Sequence, residues 1–199
     1  ATIGFTLAPR LNAAGRLGRT DSAVRLLLTS DEEDASNCAA ELCQLNRHRQ
    51  ELEQEIWEEA HEMLRRSPPS GPIVLASERW HQGVIGIAAS RLAEEFALPT
   101  VMICLNGEQG KGSCRSYGGF NLFDALSACS DCLEGFGGHA LAAGLSIKRG
   151  RVDDFRAALE EYYRKAPPPE PAVLECELRV EDPALLTMDC VASLERLEP

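Results

Sequence analysis

No apolar run in this sequence approaches the ~20 residues that span a bilayer, which excludes a helical membrane anchor within it. Its opening, Ala1-Thr2-Ile3-Gly4-Phe5, has neither the basic start nor the long apolar region of a secretory leader. It also lacks an initial methionine, as expected of a segment excised from a longer polypeptide. There is no internal repeat, and no low-complexity tract beyond Pro167-Pro168-Pro169-Glu170-Pro171. A cationic excess is missing too: 20 Lys and Arg face 31 Asp and Glu, a net charge of −11. That disfavours a generic nucleic-acid coat or an anionic membrane surface as partner. Any anion site must be local, built from clustered arginines and backbone N–H groups. No second CxxC accompanies Cys129-Ser130-Asp131-Cys132, and a structural zinc site needs four ligands. The 8 cysteines are scattered, several at apolar-face positions, where a thiol behaves as a small hydrophobe. A reduced, cytoplasmic protein fits this better than a disulfide framework. No Asp/His cluster has two-metal phosphodiesterase spacing and no Ser–His–Asp set is indicated. The acids fall mostly in helical charge runs.

What is present suits one large domain, or a compact domain with appendages, at 199 residues and 44% hydrophobic. Residues 1–30 carry Arg10, Arg16 and Arg19. Pro9 to Gly18 is neither amphipathic nor alternating and reads as a glycine-punctuated loop. Asp21-Ser22 then caps a short helix over 23–28. Residues 31–66 read as one long connecting helix, uninterrupted by Gly or Pro and with acids in its first turn. At 1.5 Å per residue it would run roughly 54 Å, long enough to link two lobes. Arg49 falls in its apolar seam between Leu45 and Leu52. Two readings stand: Arg49 snorkels, or Asn46, Arg49 and Gln50 face a partner or ligand at mid-helix. His48 and His61 read as exposed.

Ser67-Pro68-Pro69-Ser70-Gly71-Pro72 marks a boundary. Residues 71–166 then alternate: strand 73–76, helix 84–96, strand 99–105, strand 112–117, helix 122–133 capped by Asn121, strand 144–148, helix 152–164. The expected class is α/β, a mixed sheet flanked by helices, with the long helix preceding it. Residues 172–199 start again, with an alternating strand over 173–180 and a helix over 183–197.

The chain is organised around Gly107 to Asn121, where glycines surround Lys111, Ser113, Arg115 and Ser116, answered by Phe136 to Gly144 with His139 after two glycines. Glycine lets a backbone approach a ligand, and Arg and Lys bind phosphate oxygens. The functional reading is a phosphate or nucleotide-strand site. The alternative is two glycine-rich turns with their cations in solvent. Trp80-His81-Gln82-Gly83 lies at a strand-to-helix turn, a usual ligand position. There His81 either donates to a phosphate or acts in acid–base chemistry, or caps the helix while Trp80 packs. Arg91, alone on the next helix, reads as a solvated or paired surface residue.

Five segments occur in order: Pro9 to Arg16, Trp80 to Arg91, Gly110 to Ser116, Gly119 to Leu126, and Phe136 to Gly144. Together they closely resemble the RecJ family, single-strand-specific 5′→3′ DNA exonucleases of the DHH phosphoesterase superfamily. The resemblance runs from about residue 4 to 199. It implies a DHH lobe binding Mn²⁺ or Mg²⁺, the long helix, a DHH-associated domain and an OB-fold. Single-stranded DNA with a 5′ end would thread between the catalytic lobes. This chain would hold the helix and the DHH-associated domain, with residues 1–30 ending the DHH lobe and 172–199 leading towards the OB-fold. The metal-binding motifs are missing, so the segment alone is expected to be inactive and to hold no metal. By motif position Arg16 would contact phosphate near the active centre, Ser113 and Arg115 would hold the 5′-terminal phosphate, and His139 would stand near the cleaved phosphate. Arg91, Gln50 and Asn46 would line the strand-contacting surface, and Lys111 and His81 join the substrate-binding set. The alternatives are a DHH-type nano-RNase or nucleotide phosphatase, and a non-catalytic nucleic-acid or protein-interaction module.

Overall fold

The computed structural model describes residues 2–166, 176 and 179–194. The N-terminal stretch differs from the expected loop. An exposed π-helical turn, Ile3–Leu7, leads into helix α1, Ala8–Arg16. Pro9 occupies the first turn, where its missing N–H costs nothing. Ala13 and Ala14 are fully buried where α1 packs on the long helix. Tertiary packing thus imposes a helix on a stretch without helical periodicity. Gly18, at φ 70°, ends it. Helix α2 spans Thr20–Leu28, so Asp21 and Ser22 lie in its first turn rather than capping it.

Helix α3, Glu32–Arg66, has Asp31 as N-cap, its side chain accepting from Asp34 N at 2.7 Å. Glu32, Glu33 and Asp34 crowd the positive end of the helix dipole. Its two halves serve different neighbours. α1 and α2 pack on its N-terminal part, while Ile56, Ala60 and Leu64 belong to the core beneath the sheet.

Beyond the proline boundary come β1 (Ile73–Ser77), α4 (Ile85–Phe96), β2 (Thr100–Asn106) and β3 (Gln109–Arg115). They are followed by α5 (Leu122–Ala128), β4 (Gly135–Gly138), β5 (Ala142–Lys148) and α6 (Val152–Lys165). The strands form one mixed sheet, β1-β2-β3-β5-β4, with β1 and β2 parallel and every other pair antiparallel. Strand β3 starts at Gln109, earlier than expected, because a turn at Gly107 (φ 57°) pairs it with the whole of β2. Helix α5 stops at Ala128 and a 3₁₀ turn covers Ser130–Cys132. Gly135–Gly138, read as a turn, is a strand because β5 supplies its ladder. The strand expected over 173–180 lies largely outside the described residues. The expected helix over 183–197 is a 3₁₀ turn, Pro183–Leu185, followed by α7, Met188–Leu194.

The sheet has a core on each face. Val101, Ile103, Cys114, Leu145 and Ile147 pack with Leu122 and Leu126 of α5 and with Phe155 and Leu159 of α6. On the other face Ile73 and Met102 meet Ile85, Ala88, Ala89 and Leu92 of α4 and the rear of α3. Each fully buried Leu or Ile contributes about 1.5–3 kcal/mol. On that second face α4 packs over β2 and β3, and no helix among the described residues covers the β5–β4 half.

Candidate functional site

The site follows from the period of β3. Its even positions Gly110, Gly112 and Cys114 face the α5–α6 core: a Cβ on Gly112 would lie 2.7 Å from Leu145, and one on Gly110 would lie 2.9 Å from Ile103. The odd positions Lys111, Ser113 and Arg115 therefore point together towards the α4 side. Arg115 is half-buried between β3 and α4. Its Nε donates to Ser90 Oγ at 3.0 Å, and its Nη1 donates to Ser113 Oγ at 3.0 Å and to Cys114 O at 2.8 Å. Both Ser113 Oγ and Arg115 Nη2 border Gly86 of α4. Nη2 has no acceptor among the described residues, so its hydrogens remain available. Burial pushes the Arg115 guanidinium below its ordinary pKa, and the nearby positive charge of Arg16 adds to this.

Arg16 reaches this place through backbone contact. The end of α1 lies against the β1–α4 turn, and Arg16 Nη1 donates to Gly83 O at 3.2 Å. Arg16, Lys111 and Arg115 have no carboxylate partner among the described residues. Arg19, Arg25, Arg49, Arg79, Arg91, Arg149 and Arg156 each have one. Arg10, Arg47 and Arg164 also lack one, but away from this place; the protein is anionic as a whole, yet cations without a carboxylate gather here, the arrangement that attracts an anion.

Lys111 Nζ donates to Ser146 Oγ at 2.7 Å. It borders a groove of about 510 Å³ that is also lined by Gln82, Gly135, Gly137, Gly144 and Ser146. Gly135 and Gly137 have no atom within 4 Å of where a Cβ would stand, so a ligand backbone can approach the strands there. His139 follows Gly138, whose φ of 141° a side chain would strain. Its N–H donates to Ala142 O at 2.9 Å, and Ala142 pairs with Arg115 in the ladder. His139 is therefore exposed at the sheet end that carries Arg115. Its Nδ1 accepts from Leu141 N at 3.3 Å, which places the neutral ring's proton on Nε2.

The remaining expected site residues are engaged in contacts of their own. His81 shapes its own turn, Nδ1 accepting from Gly83 N at 3.1 Å, while Trp80 is buried with Nε1 donating to Glu59. Arg91 donates to Glu53 at 2.9 Å and lies 4.0 Å above the Trp57 ring. Arg49 does not snorkel: it pairs with the same Glu53 and donates to Asn46 Oδ1 at 3.0 Å. Asn46 is only 8% exposed, so it supports Arg49 and presents little surface to a strand. Gln50 is exposed and shares a 340 Å³ cleft with Arg49, Glu53, Gln54 and Arg91. His61 is not exposed as expected, but packs on Trp57 and contacts Glu95 at 3.0 Å. Sequence reading passed over Gly86, Ser90 and Glu53. For the first two, the four-residue spacing inside a glycine-bearing helix start was the available signal.

The mixed sheet with helices on both faces and a cationic, glycine-lined edge defines an α/β domain, and residues 70–165 match the family described as DHHA1 domain. The chain is 42% identical over 205 residues to the single-stranded-DNA-specific exonuclease RecJ of Bacillus subtilis, covering 100% of this chain and 26% of that protein. It is 36% identical over 197 residues to RecJ of Thermus thermophilus, covering 99% and 28%. The crystal structure of Thermus RecJ with Mg²⁺ superposes with a TM-score of 0.85 at 35% identity, covering 100% of this chain and 31% of that one. An exonuclease RecJ bound to manganese gives 0.75 at 36% identity, covering 84% and 42%. The chain is similar to RecJ exonucleases over its whole length, and spans about a quarter to two fifths of the length of these relatives.

Related proteins were crystallised with Mg²⁺ or Mn²⁺. The side chains gathered around Arg115 do not suit such an ion, being guanidinium, ammonium and hydroxyl groups. Among the described residues no cluster of three or more His, Cys, Asp or Glu is placed to hold one. No helix of the described residues is long and apolar enough to cross a membrane.

Proposed function

We propose that this chain is the substrate-holding part of a cytoplasmic, single-strand-specific 5′→3′ DNA exonuclease, and that it grips the 5′-terminal phosphate of the strand. Divalent metals and phosphodiester hydrolysis belong to a DHH domain elsewhere in the complete polypeptide. In this reading residues 1–30 close that DHH lobe, α3 connects it to the DHH-associated domain over 71–166, and 172–199 lead towards an OB-fold.

The observation that carries the reading is the convergence of Ser113 and Arg115 on Gly86, with Arg16 beside them and no carboxylate among the described residues to neutralise the cations. A phosphate placed there receives the Nη2 hydrogens of Arg115 and the Ser113 hydroxyl, charge-assisted bonds of the strong kind. The strand then runs over the bare glycine floor beside Lys111, where the absence of side chains admits a sugar–phosphate backbone. His139, at the same end of the sheet, offers Nε2 to a phosphate oxygen further along. Arg91 and Gln50 present a second polar surface at the α3–α4 cleft. The net charge of −11 is no obstacle, because an anion responds to the local field, and around Arg16, Lys111 and Arg115 no carboxylate among the described residues pairs with the cations.

The test is a crystal of the protein soaked with a short 5′-phosphorylated oligodeoxynucleotide. Its terminal phosphate is expected within hydrogen-bond distance of Ser113 and Arg115. A strand bound with its 5′ end elsewhere overturns the assignment.

A further inference from the structure

We propose that Ser90 is a positioning residue for Arg115 and that Gly86 keeps clear the space its guanidinium occupies. This inference rests on Ser113 and Arg115 holding a terminal phosphate. Gly86 and Ser90 lie one turn apart on α4, so they share the face turned to β3. A hydroxyl has one hydrogen to give. Ser90 Oγ donates it to Gly86 O at 3.1 Å and so presents a lone pair to Arg115 Nε at 3.0 Å.

At the other end of the guanidinium, Nη1 is held by Ser113 Oγ and Cys114 O. Bonds on both sides fix the plane of the fork and leave Nη2 without an acceptor among the described residues. A Cβ at position 86 would stand 3.0 Å from Nη2 and 3.0 Å from Ser113 Oγ, so both groups would have to give way slightly and the fork would lose its present tilt. The advantage of arginine for phosphate lies in this planar geometry as much as in charge. Tilting the plane therefore impairs recognition of a phosphate while the positive charge stays. Ser90 and Gly86 thus set discrimination between a 5′-phosphate and a 5′-hydroxyl end.

The experiment measures, in the full-length polypeptide, the affinity ratio for 5′-phosphorylated over 5′-hydroxyl oligodeoxynucleotide, with melting temperature alongside. Ser90→Ala is expected to lower the ratio roughly 5- to 10-fold, and Ser90→Thr, which keeps the hydroxyl, to restore it. Gly86→Ala is expected to lower the ratio while holding or raising the melting temperature, because alanine favours a helix over glycine. A purely structural role would move the melting temperature instead. Wild-type ratios in Ser90→Ala and Gly86→Ala overturn the inference, as does a ratio that Ser90→Thr fails to restore. Arg115→Ala separates the two levels. If it leaves the ratio unchanged, the phosphate site itself is wrong; if it abolishes the ratio while the α4 variants do not, only the positioning role is lost.

Discussion

Gly83 stands so close to Arg16 that a Cβ on it would lie 1.9 Å from the Arg16 carbonyl oxygen and 2.8 Å from the carbonyl carbon. The obstacle is backbone, which cannot swing away as a side chain can. This contact fastens the end of α1 to the β1–α4 turn and brings Arg16 beside Arg115. Gly83→Ala is expected to lose about 1–3 kcal/mol of stability, the usual cost of overpacking, measured by urea unfolding. It should also lengthen the Arg16–Gly83 hydrogen bond in a crystal structure of the variant. Unchanged stability would mean that the two segments do not touch.

Arg115→Ala removes the fork proposed to hold the terminal phosphate. Binding of a 5′-phosphorylated single strand to the full-length protein is expected to weaken by roughly 1.5–3 kcal/mol, the worth of a charged hydrogen bond. A 5′-hydroxyl strand should lose much less. Fluorescence anisotropy with both probes checks this, and equal losses would move the phosphate away from Arg115.

Lys111 and Arg156 are both cations at the sheet, but Arg156 is paired with Asp153 while Lys111 has no carboxylate among the described residues. Lys111→Gln is expected to reduce the slope of log affinity against log salt by roughly 0.7, one phosphate's share for a single strand. Arg156→Gln should leave that slope alone. Equal slopes for wild type and Lys111→Gln would take the strand off the glycine floor.

Glu59 joins the long helix to the β1–α4 turn by accepting from Ser77 Oγ at 2.9 Å, Trp80 Nε1 at 3.1 Å and Arg79 at 2.9 Å. Glu59→Ala leaves two buried donors without their acceptor. We expect a loss of about 1–3 kcal/mol, with a changed Trp80 emission spectrum before global unfolding. A variant as stable as wild type would show that apolar contacts alone hold α3 against the sheet.

Burial pushes the Cys114 thiol up to about 12 and the Cys129 thiol up to about 11, from an ordinary 9.0. In the unfolded chain both ionise near pH 9, while in the native state they stay protonated. Their contribution to stability is thus complete below pH 9 and declines as pH rises from 9 through 11 to 12. The urea midpoint should fall over that range, and Cys114→Ala/Cys129→Ala should flatten the decline. At neutral pH a thiol reagent should label the exposed Cys176 and Cys190 well before these two.

The long helix was legible because periodicity, an acidic first turn and a proline stop agreed over 35 residues. The α/β alternation over 71–166 was legible for the same kind of reason. Helix α1 was not, since its two buried alanines acquire their meaning only from α3. Strand β4 was not, since a run of glycines carries no alternation and becomes a strand only through β5. Among the site residues, Ser113 and Arg115 could be singled out by residue type and glycine context. Asn46 could not be seen as buried, nor Arg91 as tied to Glu53, because those facts depend on a partner 38 residues away or on a helix packed from outside.

By itself the sequence determined which residues have the chemistry to be candidates for a phosphate, since the properties of Arg, Lys, Ser and Gly are local. It also determined the order of helices and strands wherever hydrophobic spacing was regular. Only the tertiary structure decided which cations stay uncompensated, because a charge is cancelled or left standing by neighbours distant in the chain. Across almost 100 residues of chain, the charge of Arg16 comes near enough to act on Arg115, and the missing Cβ at Gly83 is what lets the end of α1 lie against that turn. That proximity is a matter of close packing between backbones, which no pattern along the chain encodes.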